Sequence, residues 1–239
     1  MVMATLGIIG SGNIGSAVAR LAIGCGETVV VANSRGPETL GELVADLGPS
    51  ASAGTADQAA AAALVVLSVP LLAIQSLPSG LLKDKIVLDT TNYYPSRDGR
   101  VAELDSEERT TSQLVLDWLG EARLVKAFNN ILAHHIPQLA RPAGAADRTA
   151  LPVASDDDHA KAVAVELIER LGFDAIDAGS LSESWQFEPE AKAYTRTYLA
   201  DPETPVERIL EAPGTPVSAD RLRSALASAT RVRVADRVF

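Results

Sequence analysis

Three glycines near the start, Gly10, Gly12 and Gly15, stand in a G-x-G-x-x-G frame inside TLGIIGSGNIGSAVARLA. Between a strand and a helix, the first permits a tight turn and the second leaves room for a pyrophosphate. The third lets helix and strand pack closely. The helix start adds unpaired N–H groups and a partial positive charge, which together hold phosphate. The frame alone also fits an ordinary strand-to-helix turn. Here apolar TLGII precedes it, helical NIGSAVARLA follows it, and TVVVAN comes at the spacing of a second strand, the full context of a dinucleotide site. An NAD site places an acid at the end of that second strand. This one ends ANSRGPE, with Asn33, Ser34 and Arg35 and no carboxylate at the strand end. A hydroxyl and a guanidinium suit a ribose 2′-phosphate, which a carboxylate would repel, so NADP(H) is expected rather than NAD.

The remaining groups able to do chemistry fall at the ends of apolar runs: SVP (Ser68, Val69, Pro70), TTNYYP (Thr90–Pro95) and KAFNNILAHH (Lys126–His135). In open α/β sheets, ligands collect at strand C-termini. His134 and His135 are adjacent, so on a helix they diverge by about 100° and make no i, i+4 metal pair. No nucleophile–base arrangement and no metal site can be argued, and no catalytic residue is assigned. Tyr93, Tyr94 and Lys126 are open as proton donors or as structural groups. Reducing a carbonyl or imine needs a proton beside the hydride. Exchanging hydride between two ring cofactors is mainly a matter of positioning.

These groups must be positioned by alternating strands and helices. Strands are expected at Thr5–Gly10, Thr28–Asn33, Leu64–Val69, Lys85–Thr91, Ala122–Phe128, Thr149–Ser155 and Phe173–Gly179, apolar on successive positions as in a sheet covered on both faces. The fold class is therefore α/β, a doubly wound, mostly parallel Rossmann-type sheet with a small helical C-terminal subdomain. TADQ (Thr55–Gln58) and TTSQ (Thr110–Gln113) read as capping boxes. SDDDHAKAVAVELIERLG reads as a helix with Ser155 as N-cap and three aspartates in its first turn. Its stripe is Ala160, Val163, Ala164, Leu167, Ile168 and Leu171, and Gly172 ends it. After Gly179 prolines multiply and periodicity weakens. The boundaries expected are 1–179 for the nucleotide domain and 180–239 for helices and a loosely ordered tail.

Composition limits the partners. The formal net charge is −10, from 21 Lys and Arg against 31 Asp and Glu, which disfavours nucleic acid and anionic membrane surfaces. The single cysteine, Cys25, allows no intrachain disulfide and is expected to pack at the end of the first helix. No charge occurs between Asp57 and Lys83, but Gln58, Ser68, Pro70, Gln75 and Pro78 break the run, which is expected to be core rather than a membrane span. No basic leader precedes the glycine loop, and a cytoplasmic location is expected.

With GSGNIG, SR after the second strand, VP closing the Leu64 run, TTSQLV, KAFNNI and LPVASDDDHAKAVAVELIERLGFDAIDAGSLSES in this order, the chain resembles the F420-dependent NADP oxidoreductases over roughly Thr5 to Ser184. The resemblance implies a Rossmann domain with a small C-terminal subdomain, assembled as a homodimer or larger. It implies hydride transfer between NADP(H) and a deazaflavin, coenzyme F420, or a similar planar acceptor. It also implies that Gly10, Ser11, Gly12, Asn13 and Ile14 form the pyrophosphate loop, and that Ser34 and Arg35, after Asn33, hold the 2′-phosphate. Val69 and Pro70, after Ser68, line the nicotinamide, and the Asn129–Ala133 stretch flanks nicotinamide and deazaflavin. Members that use the deazaflavin commonly carry His where this chain has Asn129, and the TTNYYPSRDG loop and the tail beyond Ser184 differ from theirs. Two alternatives stay open: an NADPH-dependent reductase of a small carbonyl, imine or flavin, and a non-catalytic NADP(H) redox sensor.

Overall fold

The structure, a computed structural model, describes residues 5–234; the outer ends of the expected domains, 1–4 and 235–239, lie outside the described residues. In chain order the elements begin β1 (Leu6–Ile9), α1 (Asn13–Gly24), β2 (Val29–Ala32), α2 (Gly41–Leu47), β3 (Ala51–Ala53), α3 (Ala56–Ala60) and β4 (Leu64–Leu67). Then come β5 (Ile86–Asp89), the single turns α4 (Pro95–Asp98) and α5 (Ala102–Asp105), α6 (Thr111–Leu119) and β6 (Arg123–Lys126). The order closes with α7 (His135–Leu139), β7 (Ala150–Val153), α8 (Asp158–Arg170), β8 (Asp174–Asp177) and α9 (Ala219–Ala227).

Six strands form one parallel sheet in the order β3-β2-β1-β4-β5-β6, so the strand order reverses between β1 and β4. Period-2 alternation feeds both faces. Leu6 and Ile8, Val29 and Val31, Leu64 and Val66, Leu88 and Val125 pack with α1, α7, α8 and α9 on one face. Ile9, Ala32, Val65, Leu67, Val87 and Leu124 pack with α3 and α6 on the other. The doubly wound α/β expectation is met, with all six strands parallel.

Several local expectations are corrected. β3 was not among the expected strands: ASA carries no β-branched residue and no apolar run to signal it. β7 and β8 pair in parallel as a separate two-stranded sheet, joined to β6 only by an antiparallel bridge between Lys126 and Ala154. Both capping boxes form, at Thr55 with Gln58 and Thr110 with Gln113. At α8 the cap is Asp157, whose carboxylate accepts from the Ala160 N–H at 2.8 Å; Ser155 is not the cap. The Ser155 hydroxyl instead donates to the Leu124 carbonyl and accepts from the Asp157 N–H, tying the helix approach to β6. Cys25 is exposed rather than packed inside, with its thiol 2.9 Å from the Arg170 carbonyl. The uncharged stretch divides into α3, β4 and the 3-10 segment Leu71–Ser76, and no helix among the described residues is long and apolar enough to cross a membrane.

Beyond Gly179 the chain runs through 3-10 turns at Leu181–Phe187, Thr195–Tyr198 and Val206–Glu211 before α9. These segments are not loosely attached. Phe187, Tyr198, Val217, Leu222 and Leu226 belong to the same core cluster as β1, and Val234 is buried in the other.

Candidate functional site

A cleft of about 750 Å³ opens where the strand order reverses, at the C-terminal ends of β1, β2 and β4. Its walls bring together Gly10, Ser11, Gly12, Asn33, Ser34, Arg35, Ser68, Val69 and Pro70 of the expected site residues. Such a crevice is where open parallel sheets take ligands.

The three loop glycines answer to different constraints. A Cβ on Gly10, at φ +116°, would stand 2.0 Å from the Ser68 carbonyl oxygen, so β1 and β4 can approach only without a side chain there. A Cβ on Gly15 would stand 2.1 Å from the Gly10 oxygen, so α1 could not start so close to the strand. A Cβ on Gly12 would meet nothing within 4 Å. Packing therefore explains Gly10 and Gly15 but not Gly12, whose bare backbone borders open space at the N-cap of α1. No side chain caps α1, so its first N–H groups have none of the usual side-chain acceptor.

Across the cleft, the loop after β2 is held by Asn33. Its amide donates to the Ser11 hydroxyl at 3.2 Å and to the Thr39 hydroxyl at 3.0 Å, while its oxygen accepts from the Arg35 N–H at 2.9 Å. Asn33 therefore works as a brace between the glycine loop and the Ser34–Arg35 turn. Ser34 and Arg35 are exposed, and the side chain of Arg35 makes no ion pair among the described residues. Two donors, a hydroxyl and an unspent guanidinium, thus line a cleft that also holds Gly12, the N-cap of α1. The donor set fits a dinucleotide that carries an extra phosphate.

The other expected residues lie elsewhere. Asn13 and Ala133 line a separate depression of about 470 Å³ with Arg20, His134 and Leu210, and Ile14 packs against the core. Asn129 is buried; its amide donates to Asn92 Oδ1 at 3.1 Å and to the Phe187 carbonyl at 2.9 Å, leaving its own Oδ1 buried without a partner. The chain turns into this stretch through Phe128, a non-glycine residue at φ +59°. Strained backbone of this kind clusters at functional sites.

Of the three open proton donors, two are committed to structure. Lys126 is fully buried, paired with Asp89 at 3.0 Å and bonded to the Thr91 carbonyl. Ser112 and Thr91 complete the Asp89 carboxylate, at 2.6 Å each. The Tyr93 hydroxyl donates to Asp105 at 2.8 Å, accepts from the Val101 N–H and is lifted in pKa first by burial and then by Asp105. Tyr94 differs. Its hydroxyl meets that of Tyr194, a hundred residues away and unsignalled by any spacing, and the Asn92 amide reaches both hydroxyls, at 3.3 and 3.4 Å. Burial raises the pKa of both phenols, most strongly at Tyr194. Among the described residues, no cluster of three His, Cys, Asp or Glu is placed to hold a metal.

A doubly wound sheet with an open glycine cradle and a free guanidinium beside it defines a Rossmann-type nucleotide-binding protein. The family model described as NADP oxidoreductase, coenzyme F420-dependent, matches residues 5–93. A hypothetical protein of Sinorhizobium meliloti is 30% identical, with 76% of this chain and 88% of that one aligned at a TM-score of 0.64. Over residues 5–93 the chain belongs to the coenzyme F420-dependent NADP oxidoreductase family. Two further structures share the fold. A provisionally assigned F420-dependent NADP-reductase of Arthrobacter sp. FB24 is 22% identical over 76% of this chain and 87% of its own, with a TM-score of 0.64. A reductive aminase of Aspergillus terreus, in complex with NADPH and ethyl levulinate, is 18% identical over 77% of this chain and 57% of its own, with a TM-score of 0.53. Nothing among the curated proteins matches.

Proposed function

We propose that the chain is an NADP(H)-dependent oxidoreductase that exchanges hydride with coenzyme F420 or a similar planar acceptor. The observation that carries the cofactor half is the pairing of open space at Gly12 with the unpaired Arg35 across the cleft. In this reading Gly10, Ser11 and Gly12, with the Asn13 and Ile14 backbone N–H groups, bind the pyrophosphate. Ser34 and Arg35 take the 2′-phosphate, braced by Asn33. Ser68, Val69 and Pro70 orient the nicotinamide against the sheet edge, and the Asn129–Ala133 stretch flanks the acceptor side through its backbone.

Bound NADPH supplies the hydride; the protein supplies placement and exclusion of water. The 180–239 segment serves as the subdomain that closes the acceptor side, with Phe187 and Tyr194 reaching Asn129 and Asn92. The resemblance to the family supports assembly as a homodimer or larger. A second reading, reduction of a small carbonyl, imine or flavin, is favoured by one observation: the Tyr94–Tyr194 hydroxyl contact at the same edge of the sheet.

The test follows NADPH oxidation against coenzyme F420, FMN and a cyclic imine, with NADH as control. Rapid F420-dependent loss of NADPH, and not of NADH, is the expected result. Turnover of the imine alone would select the second reading. Tight NADPH binding without turnover would overturn both and point to a redox sensor.

A further inference from the structure

We propose that Tyr94 and Tyr194 act together as the proton donor of this site, serving an acceptor whose reduction leaves negative charge on oxygen or nitrogen. The inference rests on the reductase reading above and adds to it the group that completes the reaction.

Position comes first. Thr90, just past β5, donates from both its N–H and its hydroxyl to the Leu67 carbonyl, at 3.1 and 3.2 Å, immediately before Ser68, Val69 and Pro70 of the cleft. Two residues on, Asn92 donates to the Asn129 carbonyl at 2.7 Å, tying together the exits of β5 and β6. The two hydroxyls sit on this Asn92 amide, so the pair stands past the exits of β5 and β6, the strands beyond β4 on the side away from β2, and Tyr194 also lines a separate pocket of about 380 Å³.

Chemistry comes second. Burial keeps both phenols protonated at neutral pH, the state a donor must occupy at rest. Around Tyr94, the Tyr194 hydroxyl, the Arg97 guanidinium and the Asn92 amide favour the phenolate that donation would leave, whereas Tyr194 is raised further by Tyr94. The one Asn92 N–H not given to the Asn129 carbonyl is shared between the two oxygens, the Thr195 side chain bonds Tyr194, and the Arg97 guanidinium lies 4.8 Å from the centre of the Tyr94 ring. Asp98, which opposes ionisation of Tyr94, is itself paired with Arg97 at 2.8 Å. For a phenol, such surroundings make an acid: costly to ionise when idle, supported when the proton leaves.

The step balances. The hydride electron pair of NADPH forms a C–H bond to the acceptor carbon, and the displaced π electrons move to the heteroatom, directly in C=O or C=N and through the conjugated ring in a deazaflavin. That atom takes the proton as a tyrosine O–H bond breaks, and water restores the phenol. NADPH is oxidised to NADP⁺ and the acceptor is reduced by two electrons.

The experiment uses the full chain with NADPH and two probes, coenzyme F420 and 3,4-dihydroisoquinoline, in single turnovers of the native protein, Tyr94→Phe and Tyr194→Phe. Loss of about 10²-fold in the transfer rate is expected for Tyr94→Phe, with NADPH affinity unchanged and the solvent deuterium isotope effect of the native chain abolished. Tyr194→Phe should give a smaller loss. A second readout needs no acceptor: in ultraviolet alkaline titration, Tyr194→Phe removes the bond that lowers Tyr94, so Tyr94 ionises at higher pH than in the native chain. Rates and isotope effects untouched by either substitution, or a titration that Tyr194→Phe leaves in place, would overturn the pair. Failure of the native chain to oxidise NADPH with either probe would instead overturn the reductase reading, and the titration would still decide whether the two hydroxyls act as one acid.

Discussion

The two ends of the sheet edge are built in opposite ways. Over β1, β2 and β4 the cleft is made of backbone and exposed side chains: an uncapped helix start, a bare Gly12 and an unpaired Arg35. Over β5 and β6 the same edge is closed by buried and half-buried side chains that bond one another, Asn92 to Asn129, Asn92 to Tyr94 and Tyr194. The first half leaves its donors open to solvent. The second is a fixed polar lattice, standing on the buried Asp89–Lys126 pair. Binding energy can come from a surface that is open, whereas placing a reacting atom requires groups that are already held.

If that division is right, substitutions in the two halves should fail differently. Lys126→Met should have the largest effect, because Asp89 would be left buried without its cation; a loss of about 3–5 kcal/mol is expected in urea unfolding. An effect under 1 kcal/mol would remove the lattice from the account. Gly15→Ala comes next, at about 1–3 kcal/mol, since its methyl would meet the Gly10 carbonyl oxygen. Its partner Gly12→Ala sharpens the contrast. Nothing occupies that space, so thermal stability should hold while NADPH affinity falls about tenfold, or about 1.4 kcal/mol. Unchanged calorimetric affinity in Gly12→Ala would contradict the phosphate cradle.

The smallest effect belongs to a group outside both halves. His135 is buried and donates from Nε2 to the Ala212 carbonyl, and burial holds its pKa below the usual 6.5. The unfolded imidazole takes up a proton below that value when the folded one does not. Stability should therefore be complete above pH 6.5 and decline as pH falls towards the folded value, by at most about 1.4 kcal/mol per pH unit. His135→Gln should flatten that slope in a melting series between pH 7 and 5.

Legibility in the sequence follows the same division. The glycine frame, the Ser34–Arg35 turn and both capping boxes depend on residues a few positions apart; the frame lies between β1 and α1, and both boxes form. Locality also misled in one place: Ser155 and Asp157 are both competent caps, and only the bond from Ser155 to Leu124 across to β6 decides between them. β3 was illegible because three small residues carry no pattern. The lattice is assembled from residues up to a hundred positions apart, so no spacing could reveal that Tyr194 returns to Tyr94 or that Lys126 is spent on Asp89. Doubled aromatics and a buried-strand lysine were visible as types; their roles exist only in the folded chain.

The most direct test of the central claim is a calorimetric comparison of NADPH and NADH on the native chain and on Arg35→Ala. The native chain should prefer NADPH, and the substitution should weaken NADPH about tenfold or more while leaving NADH nearly unchanged, since a charge-assisted contact to phosphate contributes about 1.5–3 kcal/mol. Equal affinity for the two nucleotides in the native chain, or a preference that survives Arg35→Ala, would contradict the assignment of this cleft to NADP(H).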